Sequence, residues 1–368
     1  MRLPFLPKFF LVFVLLSLLL FRYLIVRHSF QEGQLVRVTG VISEEPVTVG
    51  DRQQIRVGEV KIYTPRFPEF GYGEKVVVEG RAAKGRAGWY LREAKVVRVK
   101  QAVQVLSSLR SRALGVYGKF FPEPHAALLS GIVLGTKSSL DYQFFEALRK
   151  TGTLHIIVAS GSNIALVGGT ILNSLIIFLS RKKAVVLSLA AIWLYVVLVG
   201  FQPPIVRAAI MGTIAYLAQA LGRDFDGVRA LFISAAVLLL VNPLWLFDIG
   251  FQLSFAATAG IIGLSQRIGR LGVLGLLPRG IKENLATTLS AQIAVSPFLL
   301  LRFGEISLIS PVVNVFVLPV VPSIMAGGAI IGLIGQISLI NPITQVLSWF
   351  VWILLEYFVR IVELFGNF

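Results

Sequence analysis

Polar and small residues interrupt a long apolar stretch between positions 149 and 167, which reads RKTGTLHIIVASGSNIALV. The interrupting residues are His155, Ser160, Gly161, Ser162 and Asn163. A membrane segment carries such side chains only where they face protein or water. Ser160 and His155 could act as nucleophile and base, but Ser160 lacks the glycine two positions earlier that a nucleophile elbow requires. The residue types therefore favour hydrogen bonding along a solute path over covalent catalysis.

Other motifs for catalysis or cofactor binding are incomplete. The segment GIVLGTKS at 131–138 resembles a phosphate-binding loop, yet Thr136 stands where that loop needs glycine before its lysine. The chain has three histidines and no cysteine, so a clustered metal site is poorly supported. We therefore predict no catalytic residue, no cofactor and no metal, and we do not expect the chain to be an enzyme.

The composition indicates an integral membrane protein. Hydrophobic residues make up 55% of the 368 residues and charged residues 15%, with a mean hydropathy of +0.78. Lysine and arginine outnumber the acids 35 to 19, which gives a net charge of +16. Two interpretations of this charge stay open: cytoplasmic loop cations that contact anionic lipids, or recognition of an anionic solute such as nucleic acid.

The chain divides into four predicted regions. Residues 1–29 read as an uncleaved first span, residues 30–101 as a β domain, residues 102–154 as amphipathic interfacial helices, and residues 155–368 as a polytopic transmembrane domain. The predicted fold class is a polytopic α-helical membrane protein with about eight to ten spans, some broken by glycine or proline. The spans of the last region are placed at 156–179, 184–201, 204–221, 230–246, 249–266, 283–301, 306–322, 324–340 and 343–364.

The β domain shows period-two alternation in five segments, which is typical of a small closed barrel such as an OB-like fold. Its second half is rich in cations and aromatic rings. Rings that stack on bases and cations that contact phosphate suit a single-stranded nucleic acid, whereas core aromatics and solvated charges are the alternative. The candidate contacts are Arg86, Trp89, Tyr90, Arg92 and Lys95.

Loop cations give an orientation. Arg181 to Lys183, Arg223 with Arg229, and Arg267 to Lys282 fall on alternate connections and predict one cytoplasmic side. The β domain is then external to a plasma (inner) membrane.

Few charged residues lie within the apolar region. Arg207 and Asp248 each sit near the start of a predicted span, and Gln252 adds a neutral polar group. Three interpretations stay open for the charged pair: both are interfacial, they pair with each other across helices, or they line an aqueous cavity.

Several motifs, taken in order, resemble the ComEC family of competence proteins, which form the inner-membrane channel for transforming DNA. The resemblance covers about residues 30–340. The matching positions are Leu128 to Gly131, then Arg149, Gly152, His155, Ser160 and Gly161, then GFQPPIVRA at 200–208, NP at 242–243, DIGFQLSF at 248–255, Pro297, Phe303-Gly304, Asn314 and Leu318-Pro319.

The resemblance implies a channel for uptake of single-stranded DNA, with an external OB-like domain. Expected partners are the strand, the lipid bilayer, a cytoplasmic helicase-type ATPase and an external DNA receptor. The implied DNA path contains Arg149, His155, Ser160, Gly161, Asn163, Arg207, Asp248 and Gln252.

Two departures from the family pattern stand out. Asn163 occupies a position where the family commonly has histidine, and an amide cannot titrate near neutral pH. The chain also contains no H-x-H-x-D-H motif, so we expect a short form without the metallo-β-lactamase-like domain. The rival hypothesis is a transporter or membrane enzyme for another anionic polymer or a lipid-linked saccharide.

Overall fold

A computed structural model of the protein consists of two compact units. The first unit comprises Met1–Ser29, Val167–Trp193 and Gln202–Ile306, and the second comprises Phe30–Leu166, Leu194–Phe201 and Ser307–Phe368. The residues that the structure describes are 17–19, 21–24, 31–42, 46–49, 52–58, 60–65, 67–68, 70–71, 73–85, 88–101, 104–136, 140–157, 160–275, 277–336 and 342–366.

A six-stranded sheet occupies the predicted β region. Its strands are β1 (Leu35–Val41), β2 (Val47–Val49), β3 (Arg52–Val57), β4 (Val60–Pro65), β5 (Glu74–Gly85) and β6 (Gly88–Gln101). They lie in the order β1-β5-β6-β4-β3-β2, and only β4 and β6 pair in parallel. The period-two pattern buries one face of the sheet. That core contains Ile42, Ile55, Val57, Val60, Ile62, Phe70, Val76, Val78, Ala82 and Leu91.

The predicted barrel is not closed. Within the described residues β1 and β2 stand at opposite ends of the strand order, and one isolated bridge between Ile42 and Val57 joins the end of β1 to β3. Closure requires the edge strands to pair along their length. The three-residue β2 provides too little backbone for such a ladder, so the sheet is curled but open.

Helices form the rest of the described chain. They are α1 (Gln104–Phe120), α2 (His125–Leu134), α3 (Tyr142–Lys150), α4 (Leu154–Ile157), α5 (Gly161–Leu175), α6 (Arg181–Val199), α7 (Pro203–Ala220), α8 (Gly227–Val241), α9 (Ile249–Gly269), α10 (Gly272–Gly275), α11 (Arg279–Phe303), α12 (Ser310–Val317), α13 (Val321–Ile334) and α14 (Pro342–Gly366), with a 3-10 helix at Pro243–Phe247.

Fewer helices can span a bilayer than the eight to ten predicted. By length and composition α6, α9, α11 and α14 qualify among the described residues, or five spans if α12 and α13, bent by 51°, count as one. The predicted span at 156–179 is divided, since α4 ends at Ile157 and α5 begins at Gly161. Polar residues and prolines shorten the remaining helices. At 15 residues, α8 is about 22 Å long against a hydrocarbon core of about 30 Å. The predicted first span lies largely outside the described residues.

Glycines set the close approach of helices in the second unit. A Cβ added at Gly328 of α13 would lie 2.5 Å from Leu129 Cδ1 of α2, and one added at Gly332 would lie 2.6 Å from the Tyr117 hydroxyl of α1. The Tyr117 hydroxyl donates to the Gly328 carbonyl at 2.9 Å. Burial raises the pKa of the Tyr117 phenol, so it keeps its proton at neutral pH. Small residues on α13 thus bring three helices together.

In the first unit, α9 packs closely on α11 and α7 packs on α8 and α9. Gly260 of α9 has no room for a side chain, since an added Cβ would lie 2.5 Å from both Ala294 Cβ and Ser290 O. A second apolar cluster joins α5 to α6 through Leu172, Ala184 and Val185, and Tyr216 near the end of α7 packs against it. These contacts connect α5, α6 and α7 within the first unit.

Two glycine substitutions should change stability in opposite directions. In Gly131→Ala the new methyl group collides with the fully buried Ile157, so we expect a loss of about 1–3 kcal/mol in unfolding free energy. Gly263→Ala, in α9 and with open space around its Cβ position, should gain up to about 1 kcal/mol from helix propensity. Thermal denaturation of the purified protein, followed by circular dichroism, measures both. Equal midpoints for the two variants would contradict the packing of α2 on α4.

Candidate nucleic-acid interface and polar helix residues

Two tyrosine rings meet on the face of the sheet that points away from its core. Val60, Ile62 and Leu91 face the core, so their neighbours Tyr63 and Tyr90 face the other way. The two ring centroids lie 6.3 Å apart at an interplanar angle of 81°. An edge-to-face pair of this kind holds both rings in a fixed orientation.

Cations flank the rings on this face. Arg56 of β3 is opposite Lys61 of β4, and Lys61 is opposite Tyr90 of β6, so the three residues form one row across the sheet. Further along, Lys95 is opposite Glu79, and Glu79 pairs with Arg37 at 3.3 Å. We call the outward side chains the outer face; it consists of Arg56, Lys61, Tyr63, Arg81, Tyr90 and Lys95.

The outer face holds part of the predicted DNA contacts. Tyr90 and Lys95 lie on it, and Lys95 is exposed. Trp89 packs against the hydrophobic core instead. Arg86 lies outside the described residues. Arg92 is described only as backbone of β6, opposite Arg81.

Sequence reasoning missed Arg56, Lys61 and Tyr63. Alternation within VKIYTP puts Lys61 and Tyr63 on one side of β4, and that signal was available. The parallel pairing of β4 with β6 was not available, because it joins strands that are separated by β5.

In the second unit Asn163 holds the end of a helix. Its side-chain amide donates to the Ile132 carbonyl at 3.0 Å and to the Tyr195 hydroxyl at 3.4 Å. That hydroxyl in turn donates to the Val133 carbonyl at 3.1 Å. The last carbonyls of a helix have no partner within the helix, so Asn163 and Tyr195 together satisfy the end of α2. Asn163 is accordingly 1% exposed.

The serines beside Asn163 form a local cluster at the start of α5. The Ser160 and Ser162 hydroxyls lie 2.6 Å apart, and the Ser160 hydroxyl donates to Asn163 Oδ1 at 3.3 Å. Gly161 is the first residue of the helix. The half-buried Ser160 thus faces polar neighbours at the break between α4 and α5.

His155 is exposed and is oriented by its own turn. Its Nδ1 lies 2.8 Å from the Gly152 carbonyl, and a carbonyl can only accept, so Nδ1 donates. In the neutral ring Nε2 is then the acceptor. Within the described part of the chain, no hydrogen bond joins His155 to Ser160, which weakens the nucleophile-and-base interpretation.

The turn before His155 is fixed from two sides. Gly152 adopts φ +69°, and a Cβ there would lie 2.6 Å from Ser310 Cβ, so a larger residue would be strained and crowded. The Ser307 hydroxyl donates to the Lys150 carbonyl at 2.5 Å. Arg149, at the end of α3, pairs with Glu146 at 2.9 Å.

In the first unit Arg207 is buried in α7 with 8% exposure. Its guanidinium carbon lies 5.9 Å from the centroid of the Phe255 ring of α9, a cation–π distance, and its Nε has no hydrogen-bond partner among the described residues. Burial argues against an interfacial position for this arginine.

Asp248 and Gln252 stabilise the start of α9. Asp248 Oδ1 accepts from the Phe251 backbone N–H at 2.9 Å as an N-cap, and Gln252 Nε2 donates to the Leu246 carbonyl at 2.9 Å. The structure describes both Asp248 and Arg207, and no ion pair joins them. Of the three sequence-based interpretations, direct pairing of the two is therefore wrong.

The eight predicted path residues fall into two groups. Arg149, His155, Ser160, Gly161 and Asn163 belong to the second unit, and the remaining three belong to the first. No group of three histidine, aspartate or glutamate side chains that could hold a metal occurs among the described residues.

A pair between the buried His125 and the half-buried Glu356 was not predicted from the sequence. His125 Nε2 lies 2.8 Å from Glu356 Oε2, and the His125 ring stacks on Trp352 with centroids 5.8 Å apart. Glu356 also pairs with Arg360 at 2.5 Å. An acidic residue inside the candidate span α14 was the available signal. Its partner lies 231 positions away in sequence, so the pairing itself could not be read from the chain.

Removing the Asn163 amide should destabilise the second unit. Asn163→Leu leaves the Ile132 carbonyl buried without a partner, and we expect a loss of about 1–3 kcal/mol in unfolding free energy. Tyr195→Phe should weaken the same helix end through Val133. Asn173→Leu is the matched control, since Asn173 is exposed on the same helix. Thermal denaturation of the three variants checks this, and a control that loses as much as Asn163→Leu would refute the assignment.

Comparisons with known proteins agree with these motifs. A family model described as "Competence protein" matches residues 132–368. The chain is similar to ComE operon protein 3 of Bacillus subtilis (strain 168), with 28% identity over 229 residues, covering 62% of this chain and 29% of the relative. It is also similar to the "Uncharacterized protein YcaI" of Escherichia coli (strain K12), with 25% identity over 209 residues, covering 54% of this chain and 28% of the relative.

The chain thus spans less than a third of the length of the curated relatives it matches. No solved structure matches it. The family match includes both polar stretches described above, the one around Asn163 and the one from Arg207 to Gln252. With well over half of its residues matched in this way, the chain belongs to the ComEC family of competence proteins.

Proposed function

We propose that this protein conducts single-stranded DNA inward across the plasma membrane and receives the strand on the outer face of its N-terminal sheet. Membership of the competence family supports a role in competence and DNA uptake. The observation that carries the proposal is the row of Arg56, Lys61 and Tyr90, with Tyr63 beside it. The same surface therefore carries aromatic rings on which bases could stack and cations that could bind phosphate groups.

A single strand fits this surface better than a duplex. Stacking on tyrosine needs unpaired bases with accessible faces, and such contacts tolerate any sequence. Lys61 and Arg56 lie on the strands next to Tyr90, where they can follow a phosphate backbone. Among the described side chains the outer face carries four cations beside its two rings, and Glu79, which lies between Lys95 and Arg37, is paired with Arg37.

The proposal places the sheet outside, which requires the chain to cross the membrane once between the sheet and Arg181, in the segment that contains α4 and α5. Arg181 begins α6, Arg223 and Arg229 flank the connection from α7 to α8, and the cations from Arg267 to Lys282 follow α9. In the proposal these ends face the cytoplasm. The sheet then meets incoming DNA first, delivered by an external receptor.

In the proposed passage the strand crosses by weak, repeated polar contacts. Arg207 offers a buried cation for phosphate, and Ser160 offers hydroxyl hydrogen bonds at a helix break. Contacts that were too strong would stall the strand. In the proposal a separate cytoplasmic helicase-type ATPase supplies the driving force.

Loss of the two rings should weaken DNA binding. For Tyr63→Ala with Tyr90→Ala in the full-length protein, we expect affinity for a labelled thymidine oligonucleotide of about 16 nucleotides to fall roughly ten-fold or more, since stacking contributes about 1–3 kcal/mol per base. Fluorescence anisotropy at low salt measures it. Tyr142→Ala is the control, because Tyr142 is an exposed ring on α3, away from the sheet, with 75% exposure.

The salt dependence of the same binding separates the rival hypothesis. Binding to DNA should weaken steeply as salt rises, with a slope of about 0.7 per phosphate contact on a log–log plot. Lys61→Gln with Lys95→Gln should flatten that slope. If the wild-type protein binds no oligonucleotide at low salt, a transporter for another anionic polymer or a saccharide becomes the better explanation.

Arg207 should be needed for transformation. A naturally transformable host that lacks this protein should lose transformation. A gene that encodes Arg207→Gln should restore transformation roughly ten-fold less well than the wild-type gene. The reason is the loss of one charge-assisted contact of about 1.5–3 kcal/mol. Arg302→Gln, an exposed arginine at the end of α11, should restore it fully. Counting transformants at equal protein levels in the membrane gives the result. Wild-type frequency in the deletion strain would end the uptake proposal.

A further inference from the structure

A cleft of about 310 Å³ opens between the end of α9 and the start of α11 in the first unit. Gly269 lies at its base, and a Cβ added there would be in ordinary contact with Lys282 Cε at 4.0 Å and Ala286 Cβ at 3.7 Å. The polar and charged part of its lining consists of Ser265, Gln266, Arg270, Lys282, Glu283 and Thr287.

The cleft has an excess of uncommitted positive charge. Glu283 is paired with Arg279 at 2.8 Å, so its carboxylate is already neutralised. Arg270 and Lys282 form no ion pair with any residue that the structure describes. Gln266 and Thr287 add an amide and a hydroxyl that can donate to phosphate oxygens. The chemistry suits a phosphate monoanion or diester between two cations.

The surroundings of the cleft identify a membrane interface. Both α9 and α11 are candidate spans, and only 11% of the residues in either apolar window are buried within the protein. Leu271 and Ile281, beside Arg270 and Lys282, are 57% and 37% exposed. Cations next to exposed apolar side chains at the end of a span are typical of the headgroup region of a bilayer. A free phosphate ion would gain nothing from these apolar side chains, whereas the acyl chains of a lipid would contact them.

We propose that this cleft binds the headgroup of an anionic phospholipid. The lipid phosphate lies between Arg270 and Lys282, and its acyl chains run along the exposed sides of α9 and α11. The bound lipid neutralises two cations where the helices leave the membrane and fixes their spacing at that end. Lipid binding here is independent of DNA transport, because none of the cleft residues belongs to the outer face or to the predicted path.

Native mass spectrometry of the full-length protein can test the site. The protein is exchanged between micelles that contain phosphatidylglycerol or phosphatidylcholine, and the retained lipid is counted. For the double variant Arg270→Gln and Lys282→Gln we expect the preference for phosphatidylglycerol to fall roughly 25-fold, because each lost cation should weaken binding about five-fold. Lys182→Gln with Lys183→Gln is the matched control, since it removes the same charge at the exposed start of α6. The control should keep the wild-type preference.

Two further measurements distinguish loss of charge from a packing defect, and a bound lipid from bound inorganic phosphate. Arg270→Lys with Lys282→Arg keeps both charges and should retain the lipid, which separates loss of charge from a general packing defect. Inorganic phosphate, added up to the lipid concentration, should not displace phosphatidylglycerol. An unchanged preference in the Gln double variant, an equal loss in the Lys182 and Lys183 control, or full displacement by inorganic phosphate would each overturn the proposal.

Discussion

The polar backbone groups at helix ends are the constraint on which the rest of the helical structure depends. A bilayer offers no water to these groups, so every broken helix must find partners within the protein. Asn163 and Tyr195 provide them for the end of α2. Arg110 does the same for α6, since its Nη1 donates to the Leu198 and Val199 carbonyls at 3.1 and 3.3 Å.

The same solution appears in the first unit. Arg22 donates to the Leu240 and Val241 carbonyls at the end of α8, at 3.1 and 2.9 Å. Arginine suits this role because its planar group offers several donors and its charge complements the negative end of a helix dipole. A strongly basic chain can therefore use part of its positive charge for its own architecture. Net charge alone does not distinguish such arginines from those that meet a solute.

Burial separates the cations by role. Arg110 and Arg22 are committed to carbonyls, whereas the buried Arg207 has an aromatic ring and an unsatisfied Nε. The cations of the outer face stand beside the Tyr63 and Tyr90 rings, and those of the α9–α11 cleft stand beside exposed aliphatic side chains. Basic residues thus stand in four different settings, and the neighbours that packing supplies decide the setting of each residue.

The sequence by itself determined the local properties of this protein. Alternation at period two predicted a β region near the N-terminus, and apolar runs predicted a mostly helical remainder, because both patterns depend on residues close along the chain. The motif order also predicted the family. Among the described helices fewer qualify as spans than predicted, since hydropathy could not show that the apolar run at 156–179 is divided between α4, which ends at Ile157, and α5, which begins at Gly161.

Only the tertiary structure decided the contacts between distant residues. It placed Trp89 in the core and Tyr90 beside Tyr63, left the sheet open, kept Asp248 from pairing with Arg207, and joined His125 to Glu356. Each of these outcomes depends on strand register or helix packing across many intervening residues. These contacts join residues that are far apart in the sequence and form only when the chain folds, so a local sequence pattern cannot predict them.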